Sequence, residues 1–104
     1  MNEGRIEKGD DRVTLVLPTE VDHYILSMMR HSLDRMLFEA KPRELLIDFS
    51  AVEMMDSSAI GLVLGRLEIC KRIGASLKIV GASARARRLL ELGGIVHFKD
   101  ISIV

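Results

Sequence analysis

The chain has 104 residues with 15 basic and 15 acidic side chains, so its formal net charge is zero at pH 7. That balance gives no global attraction for nucleic acid or anionic lipid, and 4% aromatic residues without tryptophan disfavour a surface that stacks single-stranded bases. With 48% hydrophobic and 29% charged residues, the composition is typical of a small globular domain, which we expect to span residues 1–104.

Compartment and cofactors follow from a few further features. Residues 1–5 are polar and resemble no signal peptide, and no apolar run is long enough to cross a bilayer, so we expect a cytoplasmic protein. The single cysteine, Cys70, excludes an internal disulfide and a metal site built on cysteines, and we expect it to be a buried, inert thiol. The histidines His23, His31 and His97 lack ligand spacing, so we expect neither a metal nor a cofactor.

Two short strands are predicted first, over residues 5–8 and 12–17, with a polar turn at residues 9–11. Alternation places three apolar side chains on one face of the second strand, which Pro18 ends. Asp22 is predicted to cap a helix that runs to about Ala40. The apolar face predicted for this helix consists of Ile25, Met28, Met29, Leu33, Met36 and Leu37.

The second half of the chain predicts two more strand and helix pairs. A nearly continuous apolar run at residues 45–49 indicates a central strand covered on both faces. A helix over residues 57–73 follows, with Gly74 as its stop, and then a buried strand at residues 77–80. The inner stripe of that helix is predicted to be Ile60, Val63, Leu64, Leu67 and Cys70. The third helix is predicted to have Ser83 as its cap, Ala86, Leu89 and Leu90 facing inward, Gly93-Gly94 at its end, and one short strand within residues 96–104 after it.

This order of elements predicts an α/β fold. Helices between successive apolar strands imply right-handed crossovers and a mainly parallel sheet. The first two strands are expected to form a hairpin, so the sheet is predicted to be mixed, with the helices packed against it.

The most informative segment is residues 55–61, where a buried strand is predicted to pass into a helix. Asp56, Ser57 and Ser58 stand at that junction. The first N–H groups of a helix lack internal partners and favour negative charge, so a serine there is well placed to accept a phosphoryl group. Capping alone would also explain these residues. Spacing does not distinguish between the two hydroxyl groups.

The Asp-Ser-Ser motif, within this order of elements, resembles the STAS family, and more narrowly the bacterial anti-sigma factor antagonists of the sporulation or general-stress type. Other matching residues are Glu20-Val21-Asp22 before the first helix, Leu46-Ile47-Asp48-Phe49 and Val52 before the motif, Gly61 and Gly65-Arg66 after it, and residues 88–94 in the third helix. The motif is weak alone, and its significance lies in the combination.

The resemblance implies a binding module rather than an enzyme. Such an antagonist binds an anti-sigma factor that is a serine kinase carrying ATP or ADP, and so frees a sigma factor. The kinase then phosphorylates the serine after the aspartate, here Ser57, and a serine phosphatase reverses the modification. The resemblance implies a switch surface formed by Asp22, Asp56, Ser58, Ala59, Ile60 and Gly61. We also expect a monomer without direct contact to nucleic acid or membrane.

The chain departs from the family pattern at three places. Ala59 replaces the usual glycine after the serine pair and is expected to stiffen the helix start and add a methyl group near the docking surface. Thr19 replaces the glycine before Glu20, so the loop to Asp22 is expected to differ. Many relatives continue beyond the position of Val104 into a fourth helix.

Three other functions are alternatives to this one. A STAS scaffold in a larger signalling assembly would also use Ser57, but it would oligomerise and carry extra domains. An enzyme is disfavoured because no histidine accompanies the serines in a triad pattern and no Gly-x-x-x-x-Gly-Lys phosphate loop is present. Direct nucleotide binding at the serine loop is the third alternative.

Overall fold

Residues 4–104, the part of the chain described by a computed structural model, form seven strands and three α-helices. The strands are β1 Arg5–Lys8, β2 Arg12–Val16, β3 Glu20–Val21, β4 Glu44–Asp48, β5 Met54–Met55, β6 Ser76–Val80 and β7 Ile101–Ile103. The helices are α1 His23–Ala40, α2 Ser58–Ile73 and α3 Ala84–Leu92, and a 3-10 turn covers Ile95–His97.

The main sheet of the described residues has the strand order β1-β2-β4-β6-β7. Strands β1 and β2 form the predicted antiparallel hairpin, closed by the Gly9 N–H, which donates to the Arg12 carbonyl at 2.8 Å. The remaining neighbours are parallel, and Leu45 of β4 pairs with Val13 of β2 on one side and Leu77 of β6 on the other. The prediction of a mixed, mainly parallel sheet is therefore confirmed.

The helices cover one face of this sheet. Strand side chains point alternately to the two faces, and one set joins the helices in a common core: Val13, Leu15, Leu45, Ile47, Leu77 and Ile79. The opposite face is mostly polar, although it also carries Val16, Leu46 and Val80. There Leu46 is only half-buried. Glu44 forms ion pairs on this face, with its Oε1 2.6 Å from Arg12 Nε and its Oε2 3.7 Å from Lys78 Nζ. The expectation that strand 45–49 is covered on both faces is therefore wrong.

Helix α1 begins and ends with local signals. The Asp22 carboxylate accepts a hydrogen bond from the Ile25 N–H at 2.9 Å, as predicted for a cap. The core-facing residues of α1 are Leu26, Leu33 and Leu37. Met28, predicted to face inward, is 62% exposed, because residues two apart on a helix point in nearly opposite directions.

Helix α2 begins one residue later than predicted and ends at Gly74, whose φ of 75° closes the helix. Its core side includes Val63, Leu67 and Cys70 as predicted and adds Leu62, Ile69 and Arg66, whereas Ile60 and Leu64 are half-buried. Helix α3 is capped by Ser83, as predicted, and buries Ala86 and Leu90, while Leu89 is half-buried. No helix within residues 4–104 combines the length and apolar character needed to cross a bilayer.

Candidate functional site

A second, two-stranded parallel pair positions the site. In it, Glu20 of β3 pairs with Met54 of β5, and Val21 pairs with Met55. The loop before β5 is held by the Thr19 carbonyl, which accepts hydrogen bonds from the N–H groups of Glu53 and Met54 at 2.8 and 3.1 Å. The sequence analysis did not predict this pair, because two-residue strands carry no readable periodicity.

The short pair brings the beginnings of two helices together. Asp22 and Asp56 each directly follow a paired strand residue. Asp22 directly precedes α1, and Asp56 is separated from α2 by Ser57 alone. The Asp56 N–H donates to the Val21 carbonyl at 3.3 Å, which continues the ladder beyond the strands. Two helix N-termini, whose free N–H groups favour negative charge, therefore lie side by side, each next to an aspartate.

Asp56 is bound to Ser58. Its Oδ1 accepts the Ser58 N–H at 2.8 Å and also accepts the Ser58 hydroxyl. These two bonds lower the pKa of Asp56, the hydroxyl bond most, and the nearby His23 adds a smaller lowering. Asp56 is therefore a fixed negative charge at neutral pH.

Ser57 has a different environment from Ser58. Its backbone is already in the right-handed helical region, with φ −65° and ψ −11°, and its side chain makes no capping hydrogen bond. Ser57 is exposed, whereas Ser58 is half-buried with its hydroxyl donated to Asp56. Capping thus accounts for Asp56 and Ser58 but not for the Ser57 hydroxyl. The geometry distinguishes two hydroxyl groups that spacing alone could not.

The other residues of the expected switch surface differ in exposure. Gly61 is exposed and Ile60 is half-buried. Ala59, in contrast, is fully buried in the core, so the expectation that its methyl group lies near a docking surface is corrected. A Cβ atom at Gly61 or Gly65 would have no neighbour within 4 Å, so these two glycines do not mark a close helix contact within the described chain.

A shallow groove of about 250 Å³ runs between the first turns of α1 and α2. It is lined by His23, Leu26, Ser27, Arg30, Ser58, Gly61 and Leu62. Sequence reasoning missed the contributions of His23, Ser27 and Arg30. The available signal was the repeated pattern of an apolar residue and an aspartate before each helix, at Val21-Asp22 and Met55-Asp56.

An ion pair joins α1 to α2. Arg66 Nε lies 2.9 Å from Asp34 Oδ1, and Arg66 is only 6% exposed. The bond geometry is poor, since these two atoms lie at ion-pair distance without satisfying each other as a hydrogen bond. Burial lowers the pKa of Arg66 and raises the pKa of Asp34, and in both cases it outweighs the attraction of the partner charge. In the sequence, Arg66 was singled out only as part of the family-like spacing Gly65-Arg66.

Cys70 has the character expected of a structural thiol. It is buried, and burial raises its pKa to about 11, so the thiol is neutral at physiological pH. Within residues 4–104, no group of three or more histidine, cysteine, aspartate or glutamate side chains is arranged to hold a metal ion.

Comparison with known proteins identifies the family. The STAS domain model matches residues 5–102. The anti-sigma F factor antagonist of Paenibacillus polymyxa is 26% identical over 99 residues, which cover 93% of this chain and 85% of that protein. The anti-sigma-B factor antagonist of Bacillus subtilis is 27% identical over 97 residues, covering 93% of this chain and 87% of that protein.

Solved structures share the fold. The unphosphorylated anti-sigma factor antagonist SpoIIAA superposes with a TM-score of 0.84 at 22% identity, covering 97% of this chain and 87% of that one. An anti-sigma factor antagonist domain from Planctomyces limnophilus gives 0.82 at 18% identity, covering 100% and 90%. The family match spans nearly the whole chain, and the fold agrees with it. This chain is a member of the STAS-domain family.

Proposed function

We propose that this chain is an anti-sigma factor antagonist that works in the cytoplasm as a monomer. It binds an anti-sigma factor serine kinase, with ATP or ADP held by the kinase, and thereby releases a sigma factor. It acts by binding rather than by catalysis, and it contacts neither nucleic acid nor membrane directly. The names of its relatives support this function.

Phosphorylation of Ser57 switches the chain off. The observation that carries this step is the exposed Ser57 hydroxyl, which takes no part in capping although it lies at a helix start. Its neighbour Ser58 is a poorer acceptor because its hydroxyl is donated to Asp56. A kinase that approaches the Ser57 corner, formed by Asp56, Ser57 and Ser58, therefore meets one available hydroxyl. A phosphatase later removes the phosphoryl group.

The added charge explains the loss of binding. A phosphoserine carries roughly −1.5 to −2 charges at neutral pH. It would lie beside the ionised Asp56 and near Asp22, while the start of α2 offsets part of the repulsion within the chain itself. A partner surface that fits a neutral hydroxyl would face both bulk and charge. Every 1.4 kcal/mol of such mismatch reduces affinity about tenfold. A mismatch of a few kcal/mol at the contact surface is therefore enough to prevent binding, and no refolding of the domain is needed.

A sigma-release assay tests the proposal. The unmodified chain is titrated into complexes of fluorescently labelled sigma factors with each anti-sigma serine kinase of the host, and anisotropy reports release. The proposal predicts release from at least one complex by the unmodified chain and none by the chain phosphorylated on Ser57. If the unmodified chain releases sigma factor from none of the complexes, the proposal is overturned. Assembly into a large oligomer instead would favour the scaffold function.

A further inference from the structure

A groove of about 340 Å³ lies between β5 and α3, beside the Ser57 corner. Its α3 wall is formed by residues three or four positions apart, which share one helix face: Arg85, Arg88, Leu89 and Leu92. The opposite wall includes Glu53 and Met54. Neither the proposed modification of Ser57 nor the groove between α1 and α2 uses these side chains.

The groove presents apolar surface to solvent. Leu92 is 75% exposed and Met54 is 65% exposed, although both are large hydrophobic residues. The inward side of α3 is already filled by Ala86 and Leu90, so Leu92 has no place in the core. Exposed apolar surface bordered by polar side chains is typical of sites that bind another protein.

The groove is also positively charged. Arg85 and Arg88 are exposed, and within residues 4–104 neither lies within 4.0 Å of an acidic side chain as an ion pair. Against these two arginines, the lining contains one acidic residue, Glu53. The chain as a whole has no net charge, so this is a local excess of positive charge. An acidic partner segment would be attracted to it.

We propose that this groove, which we call the α3 groove, binds an amphipathic acidic helix of the anti-sigma factor kinase. The inference rests on the proposed function and extends its contact surface beyond Ser57. Apolar residues of that helix would pack between Met54 and Leu92, with aspartate or glutamate residues beside Arg85 and Arg88. The α3 groove begins close to Ser57 along the chain, because Met55 of its β5 wall is followed directly by Asp56 and Ser57.

Calorimetric titration tests the α3 groove with the host kinase that releases sigma factor in the assay above. Two double variants address it, Arg85→Glu with Arg88→Glu, and Met54→Ser with Leu92→Ser. Each is expected to weaken binding about tenfold or more. The matched control is Arg87→Glu, which makes the same charge change on the same helix, also at an exposed position, but outside the groove lining. Its affinity is expected to stay within about twofold of wild type.

Two further measurements make the result specific. Raising the salt concentration from about 50 to about 500 mM should weaken wild-type binding more than binding of the Arg85 and Arg88 double variant, since screening removes the attraction. Thermal melts should show that all variants are folded, because the changed side chains are largely exposed.

The outcomes separate the two proposals. If wild type binds the kinase and both double variants bind equally well, the α3 groove is not the docking site, while the proposed function stands. An equal loss for Arg87→Glu would indicate a nonspecific charge effect and would also overturn the groove. If wild type binds no host kinase, both proposals fall together.

Discussion

The Asp56 carboxylate is bonded to Ser58, and the hydroxyl of the residue between them is left exposed. Oδ1 of Asp56 accepts both the N–H and the hydroxyl of Ser58. Asp56 thereby performs the capping role that a serine often has at a helix start. Asp56 therefore holds the start of α2, while the neighbouring Ser57 is exposed and its side chain makes no capping hydrogen bond.

The first prediction concerns pH. The pKa of Asp56 is lower in the folded state than its ordinary value, so its ionised form stabilises the fold. That stabilisation is fully present above the unfolded-state pKa of about 4 and is lost as the pH falls through the lower folded value. Urea unfolding of wild type and Asp56→Ala should show a constant difference in unfolding free energy between about pH 5 and 7 that shrinks below about pH 4. The same difference at pH 3 and pH 7 would contradict this role.

The second prediction concerns the ion pair between the helices. Asp34→Leu leaves the charge of the buried Arg66 without its partner and should cost about 3 kcal/mol of unfolding free energy. Arg66→Met should cost less, about 2 kcal/mol, because Asp34 keeps part of its surface in water. The double variant should return to within about 1 kcal/mol of wild type, since burial of both charges is then avoided.

Urea unfolding of all four proteins completes this cycle. Additive losses in the double variant would show that Arg66 and Asp34 do not interact energetically, contrary to their separation of 2.9 Å.

The structure also shows which parts of the fold can be predicted from the sequence. The hairpin, the caps at Asp22 and Ser83 and the stop at Gly74 were predicted, because each depends on residues close together in the chain. The pairing of β3 with β5 was not, because it joins two-residue segments that are distant in sequence.

The buried position of Arg66 on the second helix was not predicted from the sequence. A charged residue is normally expected at the surface, and burial of Arg66 depends on Asp34, which lies on another helix. The separate environments of Ser57 and Ser58 also needed the structure, since both residues suit a helix start equally well by type.

The third prediction contrasts glycines. Gly65→Ala should raise the unfolding free energy by about 1 kcal/mol, because a Cβ atom there has no neighbour within 4 Å and alanine favours helix. Gly81→Ala should destabilise by about 1 kcal/mol or more, since its φ is +71°. A Cβ atom at Gly81 would also lie 2.9 Å from the Ser50 nitrogen. Chemical denaturation measures both, and a stabilising Gly81→Ala would contradict the observed backbone.

The fourth prediction uses Gly65→Ala as a matched control for partner binding. Gly61→Ala adds the same methyl group to the same helix, also in open space, so it should stabilise the fold to a similar extent. Because Gly61 is exposed next to the Ser57 corner, the added methyl should weaken kinase binding about tenfold, whereas Gly65→Ala should not. Equal kinase affinities of the two variants would place Gly61 outside the interface.

The fifth prediction concerns the phosphorylated form. Phosphorylation of Ser57 should shift amide NMR signals near the starts of α1 and α2, while signals of the strands distant from this corner stay in place. Binding to the kinase should nevertheless fall at least tenfold, which corresponds to about 1.4 kcal/mol. Shifts spread through the whole sheet would instead indicate that modification refolds the domain.

The most direct measurement is mass spectrometry of the chain after incubation with the host anti-sigma kinase and ATP. One phosphoryl group adds about 80 Da, and fragmentation should locate it on Ser57. Ser57→Ala should abolish the gain, and Ser58→Ala, the matched control one residue away, should retain it. A wild-type chain that gains no mass with any host kinase, or that carries the group on Ser58, would contradict the assignment of Ser57 as the switch.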